Sequence, residues 1–131
     1  YESVYTSAER LKEQEAMDQV LAVYAEEGLA RAENYPEPAD QLGVELEFMG
    51  YLCEKTIDAV DSGDEAAARG YMKKQSAFLH THLLNWVPSF CKDLEGIAEE
   101  EFYRAAAVIT AEFLKEDGLL LDELINTPVN V

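Results

Sequence analysis

The sequence of 131 residues predicts an all-α fold, a single helical bundle of about five helices over residues 1–131. Apolar residues recur at the three- and four-residue spacing of one helix face, as Met17, Val20, Leu21 and Tyr24 do. No stretch of useful length alternates apolar and polar residues, which is the pattern of a half-buried strand. The hydrophobic fraction of 48% is that of a globular protein, so the chain has enough apolar side chains for one core.

The first predicted helix spans residues 7–27. Thr6 or Ser7 is its candidate N-cap, since a hydroxyl at that position accepts a hydrogen bond from a free backbone N–H group. Gly28 is expected to end the helix in a left-handed conformation. The chain opens on Tyr1 with residues typical of a fold interior, so we expect it to lack N-terminal helices of a longer protein.

The second predicted helix follows a loop at residues 34–40, where two prolines favour an extended backbone in the residues before them. Asp40 is the candidate N-cap of this helix. Its apolar residues cover two adjacent faces, which is typical of a central helix with neighbours on more than one side. The polar turn at residues 61–64 is expected to end it.

The third predicted helix runs from Glu65 to about Leu83. Pro88 favours the start of a short fourth helix, with Asn85 as a plausible cap and Gly96 near its end.

A fifth helix is predicted from about Glu99 to Leu114. Gly118 is expected to break it, because glycine is unfavourable inside a helix. Residues 119–125 then resume as one or two further turns before Pro128.

The balance of 27 acidic against 10 basic residues, a net charge of −17, is the strongest signal in the composition. A surface this acidic repels phosphates, so we expect no nucleic-acid partner. It attracts a basic ligand and accelerates its capture, although high charge also serves solubility alone. No apolar run approaches the ~20 residues that a membrane-spanning helix needs, so we expect no membrane insertion.

Motifs of the common enzyme classes are absent from the sequence: it has no glycine-rich phosphate loop, no Cys-x-x-Cys, no His-Glu-x-x-His and no Gly-x-Ser-x-Gly. His80 and His82 are two positions apart, so on a helix they point about 200° away from each other and cannot share a metal ion. Cys53 and Cys91 are expected to be reduced and packed as small apolar side chains. We therefore expect no catalytic residue, no metal site and no cofactor.

The proline-rich loop and the only tryptophan carry the candidate binding residues. Glu37 is expected to lie free at the mouth of a groove and to pair with an arginine of a ligand, because such pairs are bidentate and directional. Trp86 is expected to join two helices as a core aromatic residue. His82, one turn earlier, is expected to tie the end of its helix to the loop by a hydrogen bond.

Three segments resemble the TorD/DmsD/NarJ-like family of redox-enzyme maturation chaperones. They are Tyr1-Glu2-Ser3-Val4-Tyr5, then Glu37-Pro38-Ala39-Asp40-Gln41 with the following Glu45-Leu46-Glu47-Phe48-Met49, and finally the Phe78-x3-His82-Leu83-x2-Trp86-x3-Phe90 run. Their order and separation also agree with the family, and together they cover residues 1–90. Three motifs in register are more specific than any one of them.

The resemblance implies an all-helical cytoplasmic chaperone, and not an enzyme. Its partner would be the twin-arginine signal peptide, or a similar N-terminal segment, of a molybdopterin oxidoreductase catalytic subunit, held until cofactor insertion is complete. Glu37, Asp40 and Gln41 would form the peptide-binding loop, with His82 and Trp86 as further binding residues. The family has histidine where this chain has Gln41, which cannot become cationic.

Two other functions compete with this one. The chain is alternatively a helical dimerisation or interaction domain without peptide specificity, and a homodimer that exchanges elements would be one form of it. A small hydrolase or guanine-nucleotide-binding protein is the other, although the sequence has no phosphate loop to support it.

Overall fold

A computed structural model describes residues 1–8 and 15–128 of the protein. In chain order its elements are α1 (Glu2–Thr6), α2 (Glu15–Glu26), α3 (Leu42–Asp61), α4 (Glu65–Phe78), a π-helical turn (Leu79–Leu83), α5 (Val87–Ile97) and α6 (Glu101–Asn126). No strand occurs within these two ranges, and the predicted all-α fold is confirmed. The stretch 9–14 of the first predicted helix lies outside the described residues.

Helix α4 packs against both α3 and α6, α5 packs on α6, and the core draws its buried residues from α2 to α6 and the π-helical turn. The rings of Tyr24, Phe48 and Phe78 form its centre, with ring centroids 4.6 Å apart for Tyr24 and Phe48 and 4.8 Å apart for Phe48 and Phe78. Aromatic pairs at such distances add stabilisation beyond the burial of their apolar area. Helix α3 therefore has neighbours on more than one side, as its apolar residues predicted.

Two glycines end helices as the sequence predicted. Gly28 follows α2 with φ of 72°, and Gly63 follows α3 with φ of 74°. In both turns the next residue donates its N–H to a carbonyl five positions back, at 3.0 Å from Leu29 to Tyr24 and 2.9 Å from Asp64 to Ala59. These bonds satisfy carbonyl groups that the helix leaves free, and only glycine adopts this backbone without strain.

Thr6 lies inside a helix and is not an N-cap, whereas the predicted helix start at Ser7 leads into residues 9–14, outside the described ranges. Thr6 is the last residue of α1 and its hydroxyl donates to the Glu2 carbonyl oxygen, 3.1 Å away. Ser7 is the C-cap, and its N–H donates to the Ser3 carbonyl oxygen at 3.0 Å. Thr6 was a misleading candidate because a hydroxyl side chain also bonds back to the carbonyl one turn earlier in its own helix.

Asp40 does not cap α3, and the prediction that it would is also wrong. The N-cap is Gln41, whose side-chain oxygen accepts a hydrogen bond from the Val44 N–H at 3.2 Å. Asp40 is fully buried and accepts from the Ser3 N–H, 2.9 Å away, at the start of α1. The carboxylate thus serves a helix that is distant in sequence, which local spacing does not reveal.

The cap of α5 differs from the prediction as well. Trp86 is the N-cap residue and Pro88 lies in the first turn, as predicted for a new helix. Asn85 instead donates its side-chain amide to the Glu2 carboxylate at 2.9 Å. The Asn85 amide thus binds a buried carboxylate that is distant in sequence, and it does not cap α5.

Gly118 does not break α6, which is continuous from Glu101 to Asn126. The residue is buried, and a Cβ atom placed on it would lie 3.4 Å from Leu79 Cδ2 and 3.5 Å from Leu84 Cδ1. The missing side chain therefore lets α6 pack closely on the π-helical turn. This packing offsets the cost of about 1 kcal/mol that glycine carries inside a helix.

Both cysteines are free thiols. Cys91 is buried, as predicted. Cys53 is exposed, and its Sγ atom donates to the side-chain oxygen of Gln75 at 3.4 Å, so the prediction that it packs as an apolar side chain is wrong. Within residues 1–8 and 15–128, no helix is both long and apolar enough to cross a membrane.

Candidate functional site

A pocket of about 370 Å³ opens beside the proline-rich loop, and we call it the loop pocket. Its aromatic lining comes from Tyr24 on α2, Tyr35 on the loop, and Phe48 and Tyr51 on α3. Its charged lining residues are Arg31, Glu37 and Glu47. Apolar walls with a few charged groups are the usual construction of a ligand site.

The aromatic wall is fixed by packing and by one hydrogen bond. The Tyr24 hydroxyl donates to the Ala39 carbonyl oxygen at 3.1 Å, which ties α2 to the loop. Phe48 lies between Tyr24 and Tyr51, and its ring stacks on Tyr51 with centroids 6.0 Å apart. Because Tyr24 and Phe48 are buried, this wall is formed before any ligand arrives.

The residues that line the loop pocket include more acidic than basic side chains. Glu37 is half-buried and accepts a hydrogen bond from the neutral Tyr1 hydroxyl at 3.3 Å. Arg31 donates to the Tyr35 carbonyl oxygen at 3.0 Å. In the described part of the chain neither Glu37 nor Glu47 has an ion-pair partner. Two uncompensated carboxylates in an apolar pocket favour a cationic ligand group.

Asp40 and Gln41 stand behind the loop pocket and do not line it. Asp40 holds the loop to α1 through its side chain and also through its carbonyl oxygen, which accepts from the Glu2 N–H at 2.9 Å. Gln41 fixes the first turn of α3. Of the loop residues named from the sequence, Glu37 alone faces the pocket, and the other two hold the loop in place.

His82 and Trp86 belong to a second group of residues, which we call the buried polar cluster: Glu2, Glu45, His82 and Trp86, which are buried, and Asn85, which is exposed. His82 Nδ1 lies 3.1 Å from Glu2 Oε2, and the pair is almost fully buried. The Trp86 indole N–H is shared between the His82 carbonyl oxygen at 2.7 Å and Glu45 Oε2 at 3.1 Å. The cluster thereby joins α1, α3 and the start of α5.

The π-helical turn orients His82. The Leu84 N–H donates to the Leu79 carbonyl oxygen, five positions back, at 2.8 Å. This wider turn directs His82 at Glu2 on α1, whereas the sequence predicted a bond from His82 to the proline-rich loop. His80 points elsewhere, with Nε2 3.9 Å from Asp122 Oδ1.

Glu45 is an unusual member of the buried polar cluster, because its side chain is fully buried. Burial and the neighbouring Glu2 carboxylate raise the pKa of Glu45 to about 10. At neutral pH it is therefore a carboxylic acid. Its Oε1 atom has no hydrogen-bond partner among the described residues, and its Oε2 atom accepts the Trp86 indole N–H.

His82 also lines a smaller pocket of about 220 Å³ on the other side of Phe48, whereas Trp86 lines neither pocket. Trp86 is 1% exposed and contacts the rings of Tyr5 and Phe90, which agrees with the prediction of a core aromatic residue. The residues proposed from the sequence thus divide into one pocket residue, Glu37, and four residues behind it.

Sequence reasoning missed Glu47 and the aromatic wall of the loop pocket. Glu47 and Phe48 lie within the Glu-Leu-Glu-Phe-Met segment that carried the family resemblance, so the signal was present but was not assigned a role. The contact between Glu2 and His82 joins residues 80 positions apart, and no local pattern reveals it. Among the described residues, no group of three histidine, cysteine or acidic side chains is placed to hold a metal ion.

Comparisons with known proteins agree with these motifs. A family model described as nitrate reductase delta subunit matches residues 1–92. The chaperone protein TorD of Photobacterium profundum is 31% identical over 121 residues, which cover 92% of this chain and 55% of the relative. TorD of Vibrio cholerae is 31% identical over 125 residues, 95% of this chain and 55% of the relative. TorD of Aeromonas salmonicida is 38% identical over 84 residues, 64% of this chain and 38% of the relative.

The chain spans about half the length of the first of these curated relatives. The family match covers the three motifs, the loop pocket and the buried polar cluster, since all of them lie within residues 1–92. The chain therefore belongs to the family of the nitrate reductase delta subunit and the TorD chaperones, as its motifs predicted.

Proposed function

We propose that the protein acts in redox-enzyme maturation as a chaperone of the cytoplasm, and that the loop pocket binds the twin-arginine-type signal peptide of a molybdopterin oxidoreductase catalytic subunit. Relatives named as TorD chaperones support this role. Binding would hold the peptide until the cofactor is inserted and export can proceed. The proposed role is binding alone and includes no catalytic step.

The observation that carries the proposal is the combination of an aromatic pocket with uncompensated carboxylates. A signal peptide of this type offers arginines followed by an apolar stretch. The aromatic wall of Tyr24, Phe48 and Tyr51 suits the apolar side chains, and Glu37 suits a guanidinium. The net charge of −17 attracts the basic end of the peptide from a distance and raises the association rate.

Asp40, Gln41, His82 and Trp86 have a supporting role in this proposal. They fix the backbone of the loop, the start of α3 and the end of the π-helical turn, so that Glu37 and the aromatic wall keep their positions. A binding site formed in advance loses less conformational entropy when the ligand arrives.

The test is calorimetric titration of the protein with synthetic N-terminal peptides of molybdopterin oxidoreductases, at two salt concentrations. Glu37→Gln should weaken binding of the cognate peptide about 3- to 10-fold, more at low salt, with little change in melting temperature. Glu33→Gln removes the same charge just before this loop, at a residue that does not line the pocket, and should bind as the wild type does. Unchanged affinity in Glu37→Gln would exclude the arginine pairing, and absence of binding to every peptide would exclude the function.

A second candidate, the helical interaction domain, is favoured by one surface. We call it the α6 stripe: Phe102, Ile109, Phe113, Leu120 and Leu124, which are 44% to 72% exposed. These residues repeat at seven- and four-residue spacing along one side of α6, as in helices that pair with another helix. In this second proposal two copies of the chain pair through the α6 stripe. Sedimentation that stays monomeric at high protein concentration would exclude it.

A further inference from the structure

We propose that Glu47 is a second cation-binding carboxylate of the loop pocket, so that the pocket selects peptides with two neighbouring basic side chains, one for each carboxylate. This inference rests on the proposed function, because it names a specificity-determining residue of the same site. The motif comparison did not assign a role to Glu47, and its position in the pocket is the first indication of one.

The two carboxylates approach the loop pocket from different elements. Glu37 comes from the proline-rich loop and Glu47 from α3. One guanidinium can satisfy one carboxylate in a bidentate pair, so two separate carboxylates accommodate two guanidinium groups. A pocket with a single acidic residue would gain nothing from a second basic residue in the peptide.

Glu47 is available for a ligand and firmly positioned. Its side chain is exposed, and it has no ion-pair partner within the described ranges. The backbone beneath it is fixed, since the next residue, Phe48, is buried between the rings of Tyr24 and Phe78. A carboxylate on a rigid helix restricts the positions from which a cation can reach it, which favours specificity.

Two basic side chains of the protein itself lie beside residues that line the loop pocket. Arg31 lines the pocket with its guanidinium bonded to the Tyr35 carbonyl oxygen, 3.0 Å away. Lys55 places its Nζ atom 5.5 Å from the centre of the Tyr51 ring. These two basic side chains thus lie against carbonyl and aromatic groups, and within residues 1–8 and 15–128 neither Glu37 nor Glu47 has an ion-pair partner.

A comparison with Glu45 shows that the position of an acidic residue on α3, and not its acidity alone, places it in the loop pocket. It lies two residues before Glu47 on α3, but its side chain is fully buried and protonated at neutral pH. Successive positions on a helix point about 100° apart, so residues 45 and 47 face in nearly opposite directions. Glu45 therefore belongs to the buried polar cluster, and Glu47 to the pocket.

The experiment uses synthetic peptides with two adjacent arginines followed by a leucine-rich run, and the same peptides with either arginine replaced by glutamine. In calorimetry at low salt, Glu47→Gln should weaken binding of the two-arginine peptide about 3- to 10-fold. The same variant should have no effect on a peptide that lacks the arginine paired with Glu47. Glu37→Gln should instead weaken binding of the peptide that keeps only the arginine paired with Glu37, and it should have no effect on the other single-arginine peptide.

Glu54→Gln is the matched control, because it removes an exposed carboxylate from the same helix outside the pocket. It should bind all peptides as the wild type does. If the wild type binds and Glu37→Gln weakens binding while Glu47→Gln does not, the role of Glu47 is wrong and the proposed function stands. If the wild type binds none of the peptides, the proposed function fails, and this inference fails with it.

Discussion

At the scale of single residues, Glu45 decides how the chain joins α1 to the rest of the fold. It supplies an acceptor to the Trp86 indole at 3.1 Å, and the neighbouring Glu2 carboxylate contributes to its raised pKa. Glu2 in turn accepts from Asn85 and contacts His82. A buried acid without these partners would be strongly destabilising, since desolvation penalises its charged form.

Glu45→Gln should make the protein more stable above neutral pH. The folded chain keeps a proton on Glu45 up to its raised pKa of about 10, whereas the unfolded chain releases it near 4.5. Between these values stability falls as pH rises, by at most about 1.4 kcal/mol per pH unit. Glutamine keeps an acceptor for Trp86 and a donor for Glu2, but does not titrate.

Urea unfolding followed by Trp86 fluorescence, at pH 6 and at pH 8.5, measures this difference. The advantage of Glu45→Gln over the wild type should be larger at the higher pH. Glu47→Gln on the exposed side of α3 serves as the control and should show no such dependence. An advantage of equal size at both pH values would mean that Glu45 is already ionised in the folded protein.

The candidate site was only partly predictable at this scale. Glu37 was identified because a proline-rich loop before a helix is a local pattern. The burial of Glu45 was not predicted, because Glu45 and Trp86 are 41 positions apart and their contact depends on how α3 and α5 pack. Asp40 was misassigned for the same reason, since its partner Ser3 lies 37 positions away.

At the scale of elements, the helices followed from local sequence while their junctions did not. Apolar spacing and glycine turns predicted α2, α3 and α4 with their ends at Gly28 and Gly63. The long α6 was predicted as two pieces, because glycine inside a helix is a poor local choice. Only the packing of α6 on the π-helical turn explains why Gly118 lies there.

Gly118→Leu should therefore lower the free energy of unfolding by about 1–3 kcal/mol, because the larger side chain meets Leu79 and Leu84. The matched control is Gly50→Leu on α3, where a Cβ atom would have no neighbour within 4 Å. That variant should raise the free energy of unfolding by about 0.5–1 kcal/mol through better helix propensity. Denaturant unfolding compares the two, and effects of the same sign would contradict the close approach at Gly118.

At the scale of the whole molecule, the α6 stripe and the net charge have opposite effects on the association of two copies of the chain. The stripe presents five large apolar side chains to solvent, which favours association. The net charge of −17 favours separation of the copies. The net charge was visible in the sequence, but the exposure of Phe102, Ile109 and Phe113 follows only from which side of α6 contacts the core.

Phe113→Asp should reduce the binding of an apolar dye such as ANS to the folded chain, and any concentration-dependent association with it. Phe113 is 64% exposed at the middle of the α6 stripe, so its loss interrupts the stripe without opening the core. Ile57→Asp, at an exposed apolar residue on α3, is the control and should leave dye binding nearly unchanged. Equal dye binding by all three proteins would show that the stripe is not an accessible surface.

Salt should act on folding and on peptide binding in opposite directions. Repulsion among the excess acidic groups of a chain with net charge −17 weakens the folded state, and it is screened as the Debye length falls from about 30 Å at 0.01 M to about 3 Å at 1 M. The melting temperature should therefore rise with sodium chloride. The affinity for a basic peptide should fall over the same range, because its attraction to Glu37 and to the acidic surface is screened as well.

Scanning calorimetry and peptide titration in the same buffers test both halves of this prediction. The ion pairs of the described residues are too few to offset the repulsion: Lys74 pairs with Glu27, and the contacts of His80 with Asp122 and of His82 with Glu2 are ion pairs only where the histidine is protonated. A melting temperature that falls with salt would mean that these attractions outweigh it. Affinity that is insensitive to salt would assign recognition to the aromatic wall of the loop pocket, with no contribution from its carboxylates.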